Sequence, residues 1–204
     1  MQTVMQKTDL SKEQKHYYRS KPNPELVTIA AANYLAVEGS GDPAAAPFSA
    51  KIKALYAAAY NAKKICKLQG NDFKVPALEG LWWTPGGEQL TEVPKQEWYW
   101  KLLIQLPAFV TVNDCKQATA LAGNKKLPYL DQLGFERFPA TLAVQLLHTG
   151  SYHDETPSLQ KLYGYIDQHA LEASSPHREV YITDPNKTPA ERLKTILRVD
   201  VRSK

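Results

Sequence analysis

The sequence of 204 residues predicts an α+β fold made of two βαββ units, related by a pseudo-two-fold, with a central ligand cleft where they meet. Three observations lead there. Strand-like and helix-like apolar spacings follow one another in the order strand, helix, strand, strand, then a linking helix, then the same four again. Leu35-Ala36-Val37 recurs as Leu142-Ala143-Val144, and Ile52, Leu55, Tyr56 recur as Leu159, Leu162, Tyr163, both at an offset of 107 residues. After each helix comes a strand led by an acid and closed by proline, Glu79 with Pro85 and Glu179 with Pro185, now at an offset of 100. The change of offset falls in a loop, where length varies freely. Aligning Gly39 with Gly150 gives 111 instead, so the register of the first strands stays open.

Residues 1–22 read as an N-terminal arm, polar at first and then basic and aromatic at His16-Tyr17-Tyr18-Arg19, with Asp9 or Ser11 able to cap a short helix. Residues 23–204 form the domain, its halves spanning about 23–108 and 135–204. Leu26 to Glu38 is β-prone and ends at Gly39-Ser40-Gly41-Asp42-Pro43, a turn that lacks the spacing of a phosphate loop. Phe48 to Leu68 carries Ile52, Leu55, Tyr56, Ala59, Ala62 and Cys66 three and four apart, the mark of an amphipathic helix, and Gly70 stops it. Leu78 to Thr84 and Glu97 to Leu106 form a hairpin with a long loop, Pro85 to Lys95. Alternation puts Trp98, Trp100, Leu102 and Ile104 on one face of the second strand.

Thr111 to Ala122 is the linking helix, opened by cap-type residues and stopped at Gly123-Asn124. The second unit has a β-prone run from Arg137 to Thr149, then a helix from Thr156 to Leu171 with Pro157 in its first turn. The strand Pro176 to Pro185, a Pro-led helical turn at 188–193 and a last strand from Lys194 to Val201 complete it.

Composition excludes several functions. The net charge of +4 is spread out rather than gathered into a stripe, so a nucleic-acid partner is not expected. No apolar run reaches about 18 residues, so no membrane span is expected, and without an N-terminal apolar run the expected location is cytoplasmic. Cys66 and Cys115 lie far apart, outside any ligand spacing. The histidines, His16, His148, His153, His169 and His177, show no metal-binding spacing, so neither metal nor cofactor is expected. The serines offer no nucleophile elbow of the GxSxG kind.

The residues that carry chemistry lie in PHREVYITDP, Pro176 to Pro185. Glu179 shares a strand face with Tyr181 and His177. A carboxylate among aromatic rings draws cations by charge and through the ring faces, and partial burial raises its pKa toward that of a general base. Glu79 precedes Trp82 and Trp83 in the matching strand. Trp82 and Trp83 point to opposite faces, so at most one of them is expected to face the cleft. Trp83, Trp98 and Trp100 are the candidates for the aromatic wall, with Glu38 and Glu79 as further acids.

YLAVEGSGDP, LEGLWW, the His148-Thr149-Gly150-Ser151-Tyr152 segment, and HREVYITDP followed by LKTILR together resemble the stand-alone GyrI-like (gyrase-inhibitor-like) small-molecule-binding family, from about Pro24 to Val201. The resemblance implies a duplicated βαββ fold of the SHS2 type, similar to the effector-binding domains of multidrug-responsive transcription activators. It also implies an aromatic-lined cleft with a glutamate inside it, which places Glu179 there with Trp83, Trp100 and Tyr181 as lining. The partner it implies is a hydrophobic aromatic or cationic small molecule. Some stand-alone members are implicated as hydrolases that open the cyclopropane ring of DNA-alkylating natural products, in which case Glu179 and Tyr181 carry the chemistry.

Overall fold

The computed structural model describes residues 7–87 and 90–204. The start of the expected arm, residues 1–6, and Glu88-Gln89 of the long loop lie outside the described residues.

The arm forms two single turns of helix, α1 (Leu10–Glu13) and α2 (Lys15–Tyr18). Asp9 caps α1 by accepting from the Ser11 amide. The apolar run expected from Leu26 is two strands, β1 (Glu25–Ile29) and β2 (Ala32–Ser40), broken at 30–31. The first amphipathic helix is α3 (Ala46–Leu68), with Leu55, Ala59, Ala62 and Cys66 buried as the spacing predicts. The hairpin is β3 (Leu78–Trp83) and β4 (Tyr99–Leu106), paired antiparallel. The linking helix is α4 (Val112–Ala122), where Thr111 and Asp114 satisfy each other's backbone amides in a capping box.

The second β-prone run likewise divides, into β5 (Gly134–Phe138) and β6 (Thr141–Thr149), with Pro139 at the break. Helix α5 (Thr156–Gln168) ends three residues short of the expected Leu171, which instead begins a short strand, β7 (Leu171–Ala173). Tyr163, expected on the core face of α5, is exposed. Strands β8 (His177–Tyr181) and β9 (Lys194–Ser203) complete the chain.

All nine strands among the described residues belong to one sheet, in the path β1-β6-β9-β8-β3-β4-β2-β5, with β7 added to β9. Two runs inside this path have the same connectivity: β2-α3-β3-β4 gives the strand order β2-β4-β3, and β6-α5-β8-β9 gives β6-β9-β8. They meet antiparallel at β3 and β8, so the central seam of the sheet joins the two units.

The outer strands cross between units. β1 pairs with β6 from Glu25↔Gln145 to Ile29↔Thr141, and β2 pairs with β5 from Ala32↔Phe138 to Ala36↔Gly134. The register is continuous across both breaks, so 25–36 and 134–145 form one antiparallel ribbon. Because two residues join β1 to β2, the two ends of the strand path are tied together and the sheet bends back on itself.

The helices lie on one face, here the front. Helix α3 covers Leu35, Val37, Trp82, Trp100, Leu102 and Ile104, with α4 packed beside it through Cys115 and Ala118. Helix α5 covers Val144, Leu146, Leu197 and Val199 through Leu162 and Ile166.

The back is covered by the arm, where Leu10, Tyr17 and Tyr18 pack on Ile29, Ala143, Val180 and Ile196. Beside this apolar contact lies a buried polar network. Arg178 donates to Glu79 at 2.8 Å and to the Tyr17 and Tyr34 hydroxyls at 3.0 and 3.2 Å. The Tyr17 hydroxyl donates to Glu79 at 2.7 Å. Arg198 lies 4.1 Å from the centre of the Tyr17 ring and donates to the Tyr17 carbonyl at 2.6 Å and to Gln145. Tyr18 donates to Gln105, which donates in turn to Gln14.

Removing one partner of a buried ion pair leaves the other charge uncompensated, at a cost of about 3–5 kcal/mol. Glu79→Ala is therefore expected to lower the unfolding free energy by about that amount in urea titrations at pH 7. Glu79→Met with Arg178→Met is expected to recover part of the loss. A Glu79→Ala protein as stable as wild type contradicts this account of the back face.

Candidate functional site

On a strand, successive side chains alternate between faces. In β8 the front-facing set is His177, Glu179 and Tyr181, and in β3 it is Leu78, Gly80 and Trp82. The seam register sets His177 opposite Trp82 and Glu179 opposite Gly80. Gly80 leaves the space in which the others converge: a Cβ there would lie 2.7 Å from Trp82 Nε1 and 2.9 Å from the Tyr181 hydroxyl. Across that space the Trp82 indole donates to the Tyr181 hydroxyl at 3.2 Å. Burial and then the charge of Glu179 raise the Tyr181 hydroxyl well above its ordinary range, and Glu179 Oε1 lies 3.2 Å from His177 Nε2.

A second carboxyl completes the cluster. Glu155, immediately before the first residue of α5, is hydrogen-bonded to Glu179. Both are buried, Glu155 at 6% exposure and Glu179 at 8%. Burial first, and then the negative charge of Glu179, push the Glu155 carboxyl well above the ordinary range. Neighbouring carboxylates resist ionising together, so Glu155 holds its proton to a higher pH than a free carboxyl does. Glu155 Oε1 is buried and makes no hydrogen bond among the described residues. That leaves an acceptor available beside the shared proton.

Aromatic rings surround the pair. Tyr152 meets the Tyr181 ring edge-on at 5.6 Å and is partly exposed. Its hydroxyl is pushed up to about 12 by burial and then by Glu179 and Glu155. Trp82 lies 5.7 Å from Phe48, in the first turn of α3, and 6.1 Å from Trp98. The beginnings of both helices thus border the seam, Phe48 from one and Glu155 from the other.

The structure brings His177, Glu179 and Tyr181 together as the alternation predicts, and places Trp98 one ring away, behind Trp82. Trp100 shares the front face but is fixed in the α3 core. It is 1% exposed, its indole donates to the Gly41 carbonyl, and its ring fills the space a Cβ would take at Gly39.

Three candidates face the other way. Trp83 stacks on Tyr99 at 6.0 Å and packs with the back-face cluster of Leu81 and Leu103, so the tryptophan at the seam is Trp82. Glu38 pairs with Lys101 at 2.8 Å, its side chain 63% exposed. Glu79 is the back-face partner of Arg178. The offset of 100 that matched Glu79 to Glu179 joins positions on opposite faces of the sheet. Front positions are even-numbered in β3 and odd-numbered in β8, and a change of one residue in register reverses the face.

Glu155, Tyr152 and Gly80 were not among the site candidates from the sequence, and Trp82 was passed over for Trp83. Glu155 had one signal, an acid just before the Thr156-Pro157 helix start. Among the described residues no three or more His, Cys, Asp or Glu side chains are placed to hold a metal ion, and no helix is long and apolar enough to cross a membrane.

Because the folded state holds the Glu155 proton more tightly than the unfolded chain, its contribution to stability is full below the unfolded pKa. It falls as pH rises from there toward the folded value. The decline is at most about 1.4 kcal/mol per pH unit. Glu155→Gln keeps the shape and removes the titration, so the stability difference between wild type and variant is expected to move toward the variant as pH rises. Urea unfolding at several pH values measures it, and a constant difference contradicts the shared proton. Gly80→Ala is expected to push Trp82 off Tyr181, seen as a change in tryptophan emission.

Comparison with known proteins gives a consistent result. The model of the GyrI-like small molecule binding domain matches residues 22–202. An uncharacterized conserved protein from Listeria innocua is 32% identical, with a TM-score of 0.88 over 96% of this chain and 100% of that one. A hydrolase from Listeria innocua is 31% identical, with a TM-score of 0.86 over 97% of this chain and 100% of that one. The C-terminal domain of EcmrR shares the fold at 14% identity, with a TM-score of 0.58 over 89% of this chain and 98% of that one. A comparison with curated proteins finds no match. With nearly its whole length matched by the family model and by relatives above 30% identity, the chain belongs to the GyrI-like small molecule binding domain family.

Proposed function

We propose that the chain binds planar or cationic hydrophobic small molecules over the β3–β8 seam and adds water to a strained, electrophilic carbon in them. The observation that carries this reading is the buried Glu155–Glu179 pair with its single proton, surrounded by Trp82, Tyr152 and Tyr181. The pair carries one net negative charge, which attracts a cation or a developing positive centre in a medium that screens it poorly. The rings supply flat apolar surface and cation–π attraction of about 0.5–2 kcal/mol each.

The same pair divides the work of hydrolysis. Glu179, as carboxylate, takes a proton from water as the oxygen bonds to the ring carbon. The strained carbon–carbon bond breaks, and its electrons pass into a conjugated acceptor such as a carbonyl. Glu155, protonated, or the Tyr181 hydroxyl supplies the proton that neutralises the acceptor oxygen. Water has then been added with no other reactant consumed. Cyclopropane-bearing alkylators fit this chemistry, and the 31% identity to a Listeria innocua hydrolase supports it. A second reading, binding without turnover, draws on the 8% exposure of Glu179, which holds water back unless Tyr152 moves.

Incubation with a cyclopropane-bearing alkylator, followed by mass spectrometry, is expected to show an enzyme-dependent water adduct. Glu179→Gln should lower the rate about 10²–10⁴-fold, the usual worth of a positioned base, while tryptophan quenching by the compound persists. Activity requires the singly protonated pair, so the wild-type rate should fall at high pH as Glu155 ionises. Glu155→Gln, which has no carboxyl proton to give, should lower the rate throughout and show no such alkaline decline in whatever activity Tyr181 sustains. Quenching without any adduct leaves the binding reading alone.

A further inference from the structure

Beside the seam lies a second cluster that the proposed function does not use. His148, next to last in β6, is on the front face, opposite Thr195 of β9, which in turn lies opposite Tyr181 of β8. Two strand spacings, about 10 Å, separate it from Tyr181, and the start of α5 lies between the two places. His148 is 5% exposed, and both its ring nitrogens have partners. Nε2 lies 3.1 Å from the Ser151 carbonyl oxygen, and Nδ1 lies 3.0 Å from the hydroxyl of Ser158, in the first turn of α5.

The carbonyl decides the tautomer. A carbonyl oxygen only accepts, so Nε2 carries the hydrogen and neutral His148 has its lone pair on Nδ1. The Ser158 hydroxyl is therefore the donor in the Ser158–His148 bond. A serine donating to a neutral imidazole whose far nitrogen is held by a third group is the arrangement of an activated nucleophile, with the Ser151 carbonyl in the orienting place often taken by a carboxylate. The turn at Gly150 keeps that carbonyl in position, because a Cβ at 150 would come within 3.3 Å of Nε2.

Ser158 and His148 line a cavity of about 680 Å³, large enough for a small organic molecule. Leu147, Pro22 and Ala190 give it apolar wall, while Asp154 and Glu191 make part of it acidic and disfavour an anionic ligand. Lys161 also lines it, three residues after Ser158 and so on the same side of α5. A lysine on this wall supplies positive charge that favours negative charge developing on a carbonyl oxygen in the cavity.

We infer that Ser158 and His148 form a second reactive site, a serine–histidine dyad that hydrolyses small, uncharged carboxylic esters in this cavity. Ser158 Oγ bonds to the ester carbonyl carbon as its proton passes to His148 Nδ1. The alcohol leaves with that proton, and the acyl group stays on Ser158. Water then gives a proton to Nδ1 and its oxygen to the acyl carbon. The carboxylic acid departs, and the proton on His148 returns to Ser158. The net reaction is ester and water to acid and alcohol, with no other reactant needed.

The test uses the full-length protein with a fluorophosphonate probe and with p-nitrophenyl acetate. Peptide mapping is expected to place one phosphonyl adduct on Ser158. Ser158→Ala, a small change at a partly exposed position, should remove the adduct and lower p-nitrophenyl acetate hydrolysis at least about 100-fold, with its thermal midpoint near that of wild type. Lys161→Ala should keep the adduct and slow its formation. A probe that leaves Ser158 unmodified, or an esterase rate equal in wild type and Ser158→Ala, overturns the proposal and leaves the Ser158–His148 bond a fastening for α5. Neither readout involves the carboxyl pair at the seam, so this test and that of the ring-opening reaction fail independently.

Discussion

A buried guanidinium fixes the geometry on which the rest of the front face depends. Arg178 sits in the centre of the sheet's back, held by Glu79 from the neighbouring strand and by two tyrosine hydroxyls, one of them from the arm. The aromatic rings of Tyr34 and Phe138 lie 5.3 and 5.0 Å from it. A charge at this depth has few acceptable positions, because each alternative leaves it or Glu79 without a partner. Arg178 therefore pins the register of β8 against β3. Since neighbours on a strand point oppositely, fixing Arg178 behind the sheet fixes His177 and Glu179 in front of it. The arm takes part in this directly, although it contributes no residue to the seam.

The crossing of the outer strands has a similar consequence on a larger scale. With 25–36 and 134–145 paired as one ribbon, each unit is completed by a strand from the other. The two units cannot separate without breaking that ribbon, and the β3–β8 seam is held from its far side. The walls of the seam are therefore fixed by both units.

Much of the fold was legible because its signals are local. The α3 and α5 faces, the Thr111 cap and the β3–β4 hairpin each depend on residues a few positions apart, where periodicity and capping chemistry act. The β1–β6 and β2–β5 pairings join segments more than a hundred residues apart, and nothing in the spacing of Leu26 to Glu38 records them. The 107-residue offset was informative because it joins positions on the same side of the sheet: Leu35 and Val37 in one core, Leu142 and Val144 in the other. The 100-residue offset matched acid to acid and failed on parity, which residue identity does not encode. The choice of Trp83 over Trp82 has the same origin: alternation says that the two differ, and only the pairing with β8 says which one faces Tyr181. Glu155 was hidden for another reason. It reaches the seam from a helix start, and the reading of acids among aromatics looked along strands.

That second carboxyl alters what Glu179 can do. A lone buried glutamate faces a conflict: burial that makes it a stronger base also makes its charged form less populated. A neighbour that holds the proton relieves it, because burial and the adjacent Glu179 keep the Glu155 carboxyl protonated well above the ordinary range. The arrangement holds one negative charge and one transferable proton within a hydrogen bond's length, which neither residue provides alone. For a cation that only binds, the charge suffices and the proton is incidental. For a strained neutral electrophile, the proton is the part that counts, since bond breaking leaves an anion that must be neutralised. The dependence of turnover on Glu155, more than on Glu179, therefore separates a site that catalyses from one that attracts.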